Sequence, residues 1–162
     1  MIPKILNVYF YYQNKPVPSN TLFIATLEQI LTNLKNSKLE YLKASDWHND
    51  LNHKRFFNLQ STLRNRYFQD IIVVLRSKKV EIDDLVINRL NFEQRLTSSL
   101  GKPKLNVFEN CFQLDKKLLE LYEKALDLDD SFEIVKTHKF KIEDIIVQNN
   151  QFYENKAFTL NS

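Results

Sequence analysis

Hydrophobic positions along this chain change period several times, and the changes mark out candidate elements. Lys4 to Tyr12 (KILNVYFYY) is a β-branched and aromatic run ended by Lys15-Pro16-Val17-Pro18, the pattern of a buried strand closed by a proline turn. Ser19 or Thr21 then caps a helix to about Asn36, whose Phe23, Leu27, Ile30, Leu31 and Leu34 recur at helical spacing. Leu39 to Ala44 reads as a short strand, with Ser45-Asp46 as a second cap. Residues 53–69 read as a helix with Phe56, Leu59, Leu63 and Tyr67 on one side. Ile71 to Leu75 (IIVVL) switches to β-branched residues and predicts a central strand. One long helix through Leu75 is the alternative, since Ile71 and Val74 continue the helical stripe.

Asp83 or Asp84 caps a helix that stops at Gly101, with Pro103 beyond it. Leu105 to Phe112 and Phe132 to Lys136 are candidate strands. Leu114 to Leu126 is an amphipathic helix carrying Leu114, Leu118, Leu121, Tyr122 and Ala125. Residues 140–153 fit either a helix or a strand. Strands alternating with helices predict an α/β or α+β fold, a small mixed β-sheet packed with amphipathic helices. With 162 residues, one globular domain over residues 1–155 is expected, followed by a loose tail over 156–162.

Composition narrows the chemistry. A hydrophobic fraction of 43%, with aromatic residues making up 12% of the chain, suffices for a core and argues against disorder. Gly101 is the only glycine, which excludes the glycine loops that let a backbone approach a nucleotide phosphate. Cys111 is the only cysteine, so neither an internal disulfide nor a cysteine-based zinc site is available, and the simplest reading of it is a small buried hydrophobe. No apolar run nears the roughly 20 residues that cross a bilayer. The opening residues do not read as a secretion signal, and cytoplasmic residence is expected. Charge is uneven: twelve Lys and Arg face five Asp and Glu in residues 1–80, against eleven facing fifteen in residues 81–162.

Two segments concentrate polar chemistry. Asp46-Trp47-His48-Asn49-Asp50-Leu51-Asn52-His53 holds two imidazoles and two carboxylates. The histidines are five apart, whereas a helix needs three or four to bring both rings to one face. The bland reading is a capping loop, with Asp46 or Asp50 as the cap, Trp47 packed and both histidines solvated. The segment 53–79 carries Lys54, Arg55, Arg64, Arg66, Arg76, Lys78 and Lys79 against Asp70 alone, with Phe56, Phe57, Tyr67 and Phe68 among them. Cations contact phosphates and exposed rings stack on bases, so this segment is a candidate nucleic-acid surface as well as a candidate protein surface. Acidic clusters at 81–84 and 127–130 offer hard oxygen ligands but also serve as caps. Glu133-Ile134-Val135-Lys136 lacks the E-x-K spacing of restriction-type nucleases, and on a strand its ends would face opposite sides.

Ile2-Pro3-Lys4-Ile5 through Asn14-Lys15-Pro16-Val17-Pro18 resembles the opening of DXD-type sugar transferases, over about a tenth of the chain. The resemblance implies a nucleotide-sugar fold, with Asp127-Leu128-Asp129 or Asp83-Asp84 as the metal-binding acidic pair. Asn7 stands where that family carries His, Phe10 where it carries Trp, and Tyr12 where it carries Gly.

No catalytic, metal or cofactor site is predicted. The expectation is a cytoplasmic protein that binds another macromolecule, a protein partner first, in the manner of immunity proteins, antitoxins or other inhibitors. Its contact residues are expected among Trp47, His48, Lys54, Arg55, Arg64, Arg66, Arg76, Lys78 and Lys79. A nucleic-acid-binding protein or nuclease using residues 53–79 is the alternative, and a relative of the sugar transferases a third reading.

Overall fold

A computed structural model describes residues 18–81 and 107–160, with side chains to residue 150. The described residues form four helices and no strand: α1 (Ser19–Trp47), α2 (Leu51–Ser77), α3 (Val107–Leu128) and α4 (Glu133–Leu160). The mixed sheet expected from the sequence is therefore wrong for this part of the chain. Leu39–Ala44 lies inside α1, Ile71–Leu75 inside α2, residues 107–112 open α3, and Phe132–Lys136 forms the entry to α4. The strand read at Lys4–Tyr12 and the helix read from Asp83 or Asp84 to Gly101 lie outside the described residues.

The helices pack as a four-membered ring. α1 lies against α2 and α3, α3 against α4, and α4 closes the ring with a narrow contact on α2. A larger apolar cluster draws Phe23 to Leu34 from α1, Tyr67 to Leu75 from α2, Leu118 to Ala125 from α3, and Val135 and Ile142 from α4. A smaller one holds Tyr41, Ala44, Phe57, Val107 and Cys111. α1 and α4 run from the larger cluster away from it, while α2 and α3 run towards it. Ring neighbours are thus antiparallel, the arrangement of helix bundles.

Between the clusters lies a polar layer. Arg64 of α2 donates from Nη2 to Asp115 Oδ1 of α3 at 2.7 Å, and both side chains are 0% exposed. Arg64 Nη1 donates to Gln60 at 2.8 Å. Ser37 and Tyr41 of α1 donate to the two oxygens of Asp115, and Asn149 of α4 donates to the Tyr41 hydroxyl at 3.1 Å. The guanidinium also lies over the Tyr41 ring, 4.8 Å from its centre. Burial works against the guanidinium's charge, but the Asp115 carboxylate outweighs it and holds the pKa above the ordinary arginine value. Burial, then Asp115, pushes the Tyr41 hydroxyl well above the usual tyrosine range, which keeps it a proton donor.

Arg64 is therefore a core residue rather than the surface cation its sequence context suggests. The stripe read from Phe56, Leu59, Leu63 and Tyr67 is rotated by about one residue, roughly 100°. The buried face of α2 is Phe57, Gln60, Ser61, Arg64, Tyr67, Phe68, Ile71, Ile72, Val74 and Leu75. In α1 the expected face holds, with Phe23, Leu27, Ile30, Leu31 and Leu34 buried; in α3 Leu118, Leu121, Tyr122 and Ala125 are buried as expected, while Leu114 is half-buried.

Removing one member of a buried ion pair leaves the other charge desolvated, at a cost of about 3–5 kcal/mol. Asp115→Ala and Arg64→Ala are each expected to lower unfolding stability by about that amount in urea titrations. Arg66→Ala, two positions along on the outside of α2, is expected to shift it by less than about 0.5 kcal/mol. A surface-like response at Arg64 would contradict the polar layer.

Candidate binding surface

The turn from α1 to α2 is closed by Asp50, which caps α2: its Oδ1 accepts from the backbone N–H of Asn52 at 2.8 Å and of His53 at 3.0 Å. Those bonds, the His53 one foremost, hold the Asp50 carboxyl below its ordinary pKa. Asp50 is thus the cap that the sequence offered as one of two. α1 starts differently from expectation, with Pro18 at the cap position and no side chain capping it.

The two histidines of the turn are half-buried rather than solvated. Their ring centres lie 4.7 Å apart, and His48 also packs on Phe57 at 5.4 Å and Phe108 at 4.7 Å. They help close the small end of the core. Trp47 does the reverse of what was expected, remaining 45% exposed at the end of α1.

The other expected contact residues divide into two groups. Lys78 is engaged at the opposite end of the bundle, bonded to Asp129 at 2.8 Å with its ammonium 5.4 Å from the ring centres of Phe23 and Phe132. The Lys78 bond, with those from Ser131, lowers the Asp129 carboxyl to about 2. Asp127-Leu128-Asp129, the pair that a sugar-transferase resemblance would assign to a metal, is thus the closing turn of α3. Lys54 is half-buried, and Lys79 is exposed with φ of 60°, ending α2 in the left-handed region.

Arg55, Arg66 and Arg76 are exposed on the outer face of α2 and make no ion pair among the described residues. They share that face with Leu51, Leu59 and Val73, which are 68%, 55% and 63% exposed. Helical geometry accounts for the grouping: positions 51, 55, 59, 62, 66, 69, 73 and 76 fall on one side of a 3.6-residue helix, opposite Arg64. No carboxylate occupies any of them. Leu51, Leu59 and Val73 are contact candidates that the sequence reading missed. It placed Leu59 in the core and Val73 in a strand. Treating Gln60, Ser61 and Arg64 as core positions would have exposed all three.

Sites of chemistry are harder to assemble. His138 is buried, and both ring nitrogens are taken: Nδ1 with the Tyr122 hydroxyl at 3.1 Å and Nε2 with Asp70 at 3.0 Å. Tyr122 and His138 are buried, and only the Asp70 end of this Asp–His–Tyr chain reaches the surface. Burial pushes the Cys111 thiol far above its ordinary range, making it a poor nucleophile. Glu133 and Lys136, read as opposite faces of a strand, bond to each other at 3.0 Å on one face of α4. Among the described residues no three His, Cys, Asp or Glu side chains group as a metal site, and no helix is long and apolar enough to cross a membrane. An open groove of about 510 Å³ between α1 and α3 is lined by Asn36, Leu39, Glu40, Asn110, Gln113 and Leu114, with no nucleophile or imidazole. Compared with known proteins, the chain matches no family model, no curated protein and no solved structure.

Burial, opposed by the bond to Asp70, lowers the His138 pKa below its ordinary 6.5. The unfolded chain then binds a proton more readily than the folded one. Stability from this group is full above about pH 6.5 and is lost as pH falls through the lower folded value. Urea midpoints measured from pH 7.5 to 5 are expected to decline, and His138→Gln is expected to flatten that decline.

Proposed function

We propose that this chain is a cytoplasmic protein that works by binding another protein, as small inhibitors of the immunity or antitoxin kind do, and that the outer face of α2 is its docking surface. The observation that carries the reading is the exposed row of Arg55, Arg66 and Arg76 interleaved with Leu51, Leu59 and Val73. Arginine is enriched in protein interfaces, and an aliphatic side chain left in water gains by burial against a partner. Trp47 stands four positions before Leu51 across the turn and adds the residue type most concentrated at interface hot spots.

A nucleic-acid reading of the same segment loses its stacking platform. Phe57, Tyr67 and Phe68 are buried in the core and Phe56 is half-buried against Phe57. Of the seven cations, Arg64 is buried and Lys78 is tied to Asp129. The aliphatic residues between the remaining arginines gain nothing from a phosphate backbone.

Two measurements test the reading. Fluorescence anisotropy with mixed-sequence single- and double-stranded DNA and RNA at about 150 mM salt is expected to show binding no tighter than roughly 10⁻⁶ M. In cells, a photocrosslinking amino acid at Leu59 or at Val73 is expected to yield one discrete protein adduct. The Arg55→Glu, Arg66→Glu, Arg76→Glu variant, folded by circular dichroism, is expected to lose it. Submicromolar nucleic-acid binding abolished by that variant, or adducts to nucleic acid alone, would sink the proposal.

A further inference from the structure

The spacing of the α2 arginines carries the reading further, to the chemistry of the partner. Arg55 and Arg66 are eleven positions apart, Arg66 and Arg76 ten. At about 100° per residue, Arg66 lies about 20° round the axis from Arg55 and Arg76 about 80° back from Arg66, so the three share one side of α2 within an arc of about 80°, roughly 15–17 Å apart along the axis. Leu59 and Val73 each sit one turn inside the outer arginines, and Leu51 precedes the first. One side of α2 thus alternates charge with aliphatic contacts along its length.

Resting on the protein-docking reading above, we infer that the partner presents an acidic amphipathic helix that lies along α2. Its carboxylates lie along one side, at intervals matching the eleven and ten residues between Arg55, Arg66 and Arg76, and its aliphatic side chains cover Leu51, Leu59 and Val73. A helix fits because its side chains rise along the axis at the same step per residue as those of α2, so carboxylates spread over one side of it at matching intervals reach the arginines on the facing side of α2. The acidic sign follows from charge: the face carries three cations, no carboxylate, and no ion pair among the described residues. Charge on such a face selects and orients a partner, while the aliphatic contacts slow its release.

The test uses fluorescein-labelled synthetic helical peptides of 28 residues, titrated with the full chain at about 150 mM salt. The first carries three Glu residues at intervals of eleven and ten positions, matching those of the arginines, with Leu between them on the same side. The second has the same composition with its Glu residues moved to the opposite side of the helix. The third replaces each Glu of the first with Lys. The first is expected to bind at least tenfold more tightly than the second, and the third not at all. The Arg55→Glu, Arg66→Glu, Arg76→Glu variant is expected to reverse the preference and take the Lys peptide. Equal binding of the first two peptides, or no binding by the first, overturns the acidic helix. The crosslinked adduct separates this failure from failure of protein docking. An adduct mapped by mass spectrometry to a basic or non-helical stretch of a partner leaves the docking surface standing and removes the inference, whereas an acidic helical stretch supports it.

Discussion

Arg64 and Asp115 form an ion pair that no solvent reaches, and the geometry of the bundle follows from the need to keep it paired. Moving two charges out of water is costly, and their attraction repays the cost only when further bonds satisfy both groups. Here three helices contribute them: Gln60 from α2, Ser37 and Tyr41 from α1, and, through Tyr41, Asn149 from α4, leaving Arg64 Nε as the one nitrogen of this guanidinium without a partner among the described residues. The Arg64–Asp115 bond crosses one diagonal of the ring and the Asn149–Tyr41 bond the other. Apolar clusters above and below exclude water but would tolerate sliding, because one leucine packs much like another. Sliding α3 by one turn, about 5.4 Å, would bring Cys111 or Leu118 opposite Arg64 and strand a buried cation. The polar layer therefore fixes the axial register that the apolar clusters leave loose.

The same layer explains where the sequence misleads. Helical periodicity is plain where each core position is apolar, as from Phe23 to Leu34 and from Leu118 to Ala125. It breaks where a helix crosses the layer. Lys35-Asn36-Ser37-Lys38 looks like the end of α1, yet Ser37 is buried on Asp115 and the helix runs on to Trp47. In α2 the polar letters of Gln60, Ser61 and Arg64 push an apolar stripe onto the wrong side, one residue away. Asp115 is 51 positions from Arg64, so no local pattern announces the partner that makes an arginine a core residue.

Ile71 to Leu75 failed for another reason. Five consecutive aliphatic residues satisfy a strand and a buried helix alike, and β-branching tips the local preference towards the strand. Tertiary context decides for the helix. Ile71, Ile72, Val74 and Leu75 face the larger cluster while Val73 points to solvent, which is a helical rather than an alternating division. The loop chemistry was more legible, since Asp50 caps α2 by a local bond that needs no distant partner.

Arg55 and Arg64 are nine positions apart, half a turn beyond two full turns, so α2 places them on opposite faces. One arginine is desolvated, neutralised and fixed in place. The other, with Arg66 and Arg76, remains solvated and makes no ion pair among the described residues, so it adds little to folding. These two uses of one residue type are linked mechanically. The buried pair sets the rotation of α2 about its own axis, and that rotation alone decides which side chains form the outer row. A helix free to turn by one residue would carry Leu59 inward and break the alternation of arginine and aliphatic side chains. In the docking proposed for this face, holding it in place beforehand would lower the ordering cost of association. Register inside the bundle and the recognition proposed for its outer face thus rest on the same contact between α2 and α3.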